Sequence, residues 1–342
     1  QKNLVHPPAP QVFVSPLCLE GVVEYLGRMT VSVGTNAVEV LPGVDEGWYA
    51  NVPLLPEGST PIDVAFEDGG RVVTQSVEWV ALNAMTVSNL VLRVNDTLRF
   101  TAFTGEEPAT NAVLAVTLPN GATTNMVAGA EIDWPFPETG TRTLRVIESL
   151  DGLSTTNVVQ IAVKSATFGA PIAVHVGKSR AWTLGSVPED LPVTADLDLS
   201  FLRDPLLLTR TYNVTTAAAG SHYVIARTGE GGPVLAHGRV DAFHIASSSD
   251  TRVETIGFYA DGSRLVEMDV IAGTLPAGVE VRLEIFVAGV TFDDGTTLKI
   301  LGPSDFDEFG VAKVRFIKPA WTTTSVCHRM HFYQNGVYLG TR

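Results

Sequence analysis

Apolar and polar residues alternate along most of this chain at a period of two, which places successive side chains on opposite faces of a strand. The runs Val22–Leu26, Leu90–Val94, Leu98–Phe103, Ala112–Leu118, Arg282–Val287 and Val311–Ile317 are rich in Val, Thr, Ile and Leu. Between such runs stand Asp68-Gly69, Asn120-Gly121, Asp151-Gly152, Asp261-Gly262, Asp294-Gly295 and Asn335-Gly336. Asx-Gly pairs favour tight hairpins, because both central residues must reach positive φ. No stretch long enough for a helix carries a helical apolar period. The predicted fold class is all-β.

One pattern occurs twice. The first copy opens at Trp48, passes Pro56-Glu57-Gly58, turns at Asp68-Gly69 and closes on a long alternating strand ending at Val80. The second opens at Trp134, passes Pro137-Glu138-Thr139-Gly140, turns at Asp151-Gly152 and closes at Val163. This spacing suits the last three strands of a β-sandwich, with Trp48 and Trp134 as core tryptophans. Seven short strands fit between residues 11 and 82, the count of an immunoglobulin-like sandwich.

The expected organisation is an extended arm over residues 1–10, one Ig-like sandwich over 11–82 and a second sandwich over 83–165. From 166 the rhythm lengthens. Residues 166–342 read as one larger, jelly-roll-like sandwich, or as two Ig-like domains splitting near 248. The residues Gly21-Val22-Val23, Gly47-Trp48-Tyr49-Ala50-Asn51-Val52-Pro53-Leu54 and Phe66-Glu67-Asp68-Gly69 resemble the tandem Ig-like modules of large secreted and cell-surface bacterial proteins. Asn95-Asp96-Thr97-Leu98-Arg99-Phe100 and Trp134-Pro135-Phe136-Pro137 resemble PKD-like modules of bacterial surface proteins, with an incomplete signature. The resemblance implies spacers or binding units and transfers no catalytic residue.

Composition narrows the functions. The 342 residues are 45% hydrophobic and 18% charged, which suits packed domains and excludes disorder. A net charge of −14, without a basic patch interleaved with aromatics, argues against nucleic acid. No apolar run is long enough for a membrane-spanning helix. The start at Gln1 suits a mature secreted chain whose leader has been removed.

Candidate chemistry is sparse. Pro7-Pro8-Ala9-Pro10 favours polyproline II, and the apolar residues that follow, Val12, Phe13, Val14 and Leu17, are candidates for a strand donated to a neighbouring subunit. Trp182, Trp321, Tyr259 and Tyr333 are candidate sugar-stacking aromatics. Asp305, Asp307 and Glu308 form an acidic loop that could hold calcium, though no fixed ligand spacing is present and no other cofactor is implied. Cys18 and Cys327 could bond within one chain or between neighbours, or stay as free thiols. Gly-x-Ser-x-Gly is absent, and Ser221-His222 adjacency does not make a triad. Paired acids for a hydrolase are a spatial matter that the sequence leaves open.

The expected function is therefore an extracellular, non-enzymatic structural protein: a cell-surface, fibre or layer subunit, of bacterial type, that self-associates into a filament through edge strands and the arm. The alternative is a carbohydrate-binding or adhesion module carried on Ig-like spacers and recognising a cell-surface polymer.

Overall fold

The computed structural model describes residues 3–67, 70–101, 113–127, 129–183, 190–202, 211–245, 252–322 and 328–342. Every described regular element is a strand, apart from two three-residue 3-10 turns at Leu26–Arg28 and Pro303–Asp305. The fold is all-β.

The first two sheets face each other as a sandwich. One has the order Leu4–Val5, Leu17–Val22, Gly47–Val52, Val40–Pro42; the other runs Gln11–Val12, Arg71–Trp79, Ser59–Phe66, Met29–Val33, Asn36–Val38. This is the Ig-like division of strands between two sheets. Alternation does the sorting: along Ser59–Phe66, Thr60, Ile62, Val64 and Phe66 turn inward. They meet Leu19, Val31 and Trp48 in the core. Thr60 is fully buried, yet its hydroxyl oxygen accepts the Leu55 N–H at 2.8 Å, so the polar group is satisfied.

The opening strand of this sandwich is divided. Leu4–Val5 pairs antiparallel with Val22 and Gly21 in one sheet. After the prolines, Gln11–Val12 pairs parallel with Glu78 and Trp79 in the other. Proline cannot donate to a ladder, so Pro7–Pro10 serves as the crossing between sheets.

A second sandwich repeats the plan. Leu82–Asn83, Thr97–Thr101 and Glu131–Pro135 form one sheet, and Asn89–Arg93, Leu153–Lys164, Gly140–Leu150, Val113–Thr117 and Thr123–Met126 form the other. Its core is built on Leu98, Phe100, Leu114, Val116, Val146 and Ile161. Asp151 and Gly152 take φ of 51° and 82°, the tight hairpin that the dipeptide predicts. The matching Asp68-Gly69 turn lies outside the described residues, but Phe66 and Arg71 pair on either side of it.

Two further sets of sheets follow. Strands between Ile172 and Phe243 form a four-stranded sheet (Ile172–His175, Val234–Phe243, Gly220–Arg227, Val193–Ala195) and a three-stranded one (Arg180–Thr183, Thr211–Thr215, Asp198–Leu202). Strands between Val253 and Thr341 form two four-stranded sheets. One runs Val253–Phe258, Arg264–Ile271, Val311–Lys318, Thr291–Phe292; the other Leu298–Leu301, Val279–Ile285, His328–Gln334, Val337–Thr341. Val281, Leu283, Phe292, Phe316 and Phe332 are fully buried in the last core. Among the described residues, parallel pairing of an early strand with a closing strand occurs at Gln11–Val12, Asn89–Arg93 and Ile172–His175.

The chain forms two compact units. One comprises Gln1–Phe168, Leu184–Asp196 and Tyr223–Gly238; the other comprises Gly169–Thr183, Leu197–His222 and Arg239–Arg342. No helix among the described residues is long and apolar enough to cross a membrane.

Candidate functional site

The arm residues are used inside the chain. Val12 and Leu17 pack on the first core and Val14 on the second, while Phe13 stays exposed. Gln11–Val12, Val14–Ser15 and Leu17–Val22 each pair with a strand of the same chain. Those ladders occupy backbone groups that strand donation would give to a neighbouring subunit.

Val14–Ser15 is the pivot of a junction within the first unit. It pairs antiparallel with Thr97 and Leu98, so a segment entering the first sandwich also extends a sheet of the second. Two arginines fasten the join. Arg99, only 8% exposed, donates to Pro56 O at 2.7 Å and Trp79 O at 3.0 Å, pairs with Asp133 at 2.7 Å, and lies 4.1 Å over the Trp79 ring. Its hydrogen bond to Asp133 holds the guanidinium above its ordinary pKa despite burial. Arg93, 7% exposed, pairs with Asp96 at 3.0 Å, donates to Pro16 O at 2.7 Å and reaches Asn51 Oδ1. Burial pushes the Asp96 carboxyl above the usual carboxylate range, against the pull of Arg93. Both guanidiniums thus bridge backbone or side-chain oxygens of the first sandwich from strands of the second, with planar multi-donor geometry that a lysine cannot reproduce.

The four sugar-stacking candidates separate. Trp182 is 3% exposed, paired across a ladder with Tyr212, and offers no ring face to a ligand; alternation alone could not show that its side of the strand points inward. Trp321 is 69% exposed and Tyr259 46%. Trp321 lies over Gly289, where a Cβ would come within 2.8 Å of the indole. Tyr333 is half-buried on the outward face of the last four-stranded sheet and does not stack with either.

Other residues surround Tyr333 instead. Tyr338 meets it at 5.5 Å between ring centroids, and Arg282 lies 4.1 Å over its ring. Arg282 also donates to Glu280 at 2.7 Å. His331 sits 3.5 Å from Glu284 and bonds Thr341 Oγ1 at 2.6 Å. Exposed Ile300 and Leu298 pair across from Arg282 and Glu284. The signal was available as the alternation Glu280, Arg282, Glu284 and as two tyrosines flanking the Asn335-Gly336 turn. Aromatic residues and arginine on one exposed face have the composition of interaction surfaces.

The acidic loop is occupied with its own backbone. Asp305 accepts the Gly302 N–H at 2.7 Å, and Asp307 accepts from Phe309 and Val311, each at 2.9 Å. Glu308 is exposed, and no cluster of three metal-ligating side chains occurs among the described residues. Cys18 is a half-buried free thiol whose pKa burial pushes up to about 11; Cys327 lies outside the described residues. Ser221 donates to Asp241 at 2.8 Å, and Arg239 holds the same carboxylate at 2.7 Å. The Ser221 hydroxyl is thus bonded to a carboxylate, which is not the serine–imidazole bond of an activated nucleophile, although His244 lines the same pocket.

No protein-family model matches the chain, and no curated protein does. Among solved structures, an I-band fragment from titin aligns over 69% of this chain and 94% of its own, with 8% identity and a TM-score of 0.28. The N-terminal eight Ig domains of Down Syndrome Cell Adhesion Molecule cover all of this chain, which spans 56% of theirs, at 9% identity and a TM-score of 0.25. SGBP-B of the Bacteroides ovatus mixed-linkage glucan utilization locus, solved with a mixed-linkage heptasaccharide, aligns over 92% of each chain at 12% identity and a TM-score of 0.23. The Ig-like description of this chain rests on its own strand order.

Proposed function

We propose that this chain is a rigid extracellular structural segment: a spacer or subunit of a bacterial cell-surface, fibre or layer assembly, built from successive Ig-like sandwiches. The supporting observation is the junction in the first unit, where Val14–Ser15 belongs to the ladder of the second sandwich and Arg93 and Arg99 tie both sides. A flexible connection would leave such backbone and guanidinium groups to water. Short ladders and near-buried multi-bond arginines fix an angle instead, which is what a spacer needs. Paired spin labels at Arg71 and Thr155 test this in the full chain. A narrow distance distribution that broadens in an Arg93→Met/Arg99→Met variant is expected, and a broad distribution in the wild type would defeat the reading.

Self-association is the finer part of this proposal. The edge strand Val253–Phe258 supports it, since Val253, Ile256 and Phe258 are all exposed there and the strand pairs on one side only among the described residues.

The second reading, a glycan-binding or adhesion module, draws on the Tyr333, Tyr338 and Arg282 face. Affinity electrophoresis on a glycan panel tests it. Retardation reduced in Tyr333→Ala is expected for at least one glycan, whereas retardation unchanged in that variant for every glycan removes this face from the argument.

A further inference from the structure

A cleft of about 470 Å³ opens on the second sandwich, well inside the range of about 300–1,000 Å³ typical of small-ligand sites. Its walls are Trp134, Phe136 and the rings of Pro119, Pro135 and Pro137; its polar groups are Asn120, Glu138 and Arg142. Trp134 is half-buried and leans on the core, whereas Phe136 is 2% exposed and serves as wall alone. Among the described residues no hydrogen bond engages the Trp134 indole N–H, which leaves a donor available. Glu138 and Arg142 are joined only by a long 3.5 Å contact, with the Glu138 side chain 80% exposed. Asn120 spends its carbonyl oxygen on the Ala122 N–H, which leaves its amide donors.

The frame is held in advance. Phe136 donates its N–H to Asp96 O at 2.9 Å and accepts from Asn95 at 2.8 Å, and the 118–122 turn is closed by Leu118 to Ala122 and Gly121 to Leu118 bonds at 2.8 Å each. Gly140 has φ of 122°, and a Cβ there would stand 3.1 Å from Arg142 Nη1, so glycine lets the guanidinium lie close to the backbone. Binding at such a cleft loses little freedom.

We infer that this cleft is a carbohydrate subsite, taking a pyranose ring of a neutral polysaccharide against Trp134 with its hydroxyls bonded by Glu138, Arg142 and Asn120. One accessible aromatic ring beside planar, multi-valent polar groups matches a sugar, which presents an apolar C–H face and a rim of hydroxyls. A polyproline peptide would instead need a row of accessible aromatic ridges, and Phe136 is closed. The site belongs to the first compact unit and the Tyr333 face to the second, so the two are tested separately.

Isothermal titration of the full chain with cellohexaose, xylohexaose and chitohexaose tests this. Binding of at least one hexasaccharide is expected, weakened about tenfold or more in Trp134→Ala, equivalent to about 1.4 kcal/mol. Because Trp134 touches the core, Arg142→Met and Glu138→Gln, with melting curves as a fold check, provide rim variants expected to weaken binding several-fold. Tyr333→Ala is expected to leave this binding unchanged. No response to any hexasaccharide at millimolar ligand overturns the proposal. So does binding that survives all three cleft variants, or binding of a proline-rich decapeptide at the cleft without any glycan.

Discussion

Gly21 occupies a position closed to any side chain. A Cβ there would lie 2.1 Å from Leu4 O and 2.6 Å from Trp48 Nε1, so the opening strand could not seat against its neighbour. Backbone cannot yield as a flexible side chain can. Gly21→Ala is expected to lower stability by about 1–3 kcal/mol, the usual cost of overpacking a core, and a thermal melt against wild type reads it. Nearby, in the same unit, Tyr49 is 4% exposed and its hydroxyl meets His237 Nδ1 at 2.9 Å. Burial holds His237 below its ordinary value of 6.5, while burial raises Tyr49. The sign follows from proton counts. As pH falls through about 6.5 the unfolded histidine takes up a proton that the folded one resists, so stability is lost below that value and retained above it. Urea midpoints at about pH 7.5 and about pH 5.5 should therefore differ, and a Tyr49→Phe/His237→Phe pair should show a smaller difference. An equal difference in both proteins would assign the slope to other groups. His175, which burial also lowers, is one of them.

Among the elements, the first ten residues change meaning most. Read as an arm, their removal should spare every sandwich. In the structure Leu4–Val5 pairs with Val22 and Gly21, and Val5 is 5% exposed within the first core. Burial of one such side chain is worth about 1.5 kcal/mol or more, before ladder bonds are counted. Deleting residues 1–10 should lower the melting temperature of the full chain, and an unchanged melt would restore the arm reading. The alternating strands were legible because burial on one face imposes period two. The division of the opening strand was not, since Gln11 finds its partner Glu78 67 residues away and the prolines look like a linker. Candidate sites suffered the same limit. Periodicity puts Trp182 and Tyr333 on strands without saying which side is inside, and only the second is outward. Trp134 reads as core by its echo of Trp48, yet it is shared between core and cleft. Clustered Asp305, Asp307 and Glu308 suggest an ion until the backbone donors already bound to Asp305 and Asp307 are seen.

At the scale of the whole molecule, charge decides whether open edges meet. The net charge of −14 and the isoelectric point near 4.9 mean that two copies repel at neutral pH, a force that salt screens over about 8–10 Å. Against that repulsion stands Val253–Phe258, with Phe258 77% exposed and one side without a pairing strand among the described residues. The register shift between Thr255 and Gly257, together with exposed Glu254, tempers the edge without covering it. Lowering pH toward 4.9 removes the repulsion while leaving the apolar edge intact. Light scattering should accordingly show little association at neutral pH in low salt, and growth as pH approaches 4.9 or as salt is added. Ile256→Lys should suppress that growth even though its added positive charge weakens the net repulsion, because it breaks the apolar row along the strand. Equal growth in Ile256→Lys and wild type would mean that association, if present, uses another surface, and the edge would lose its place in the proposed assembly.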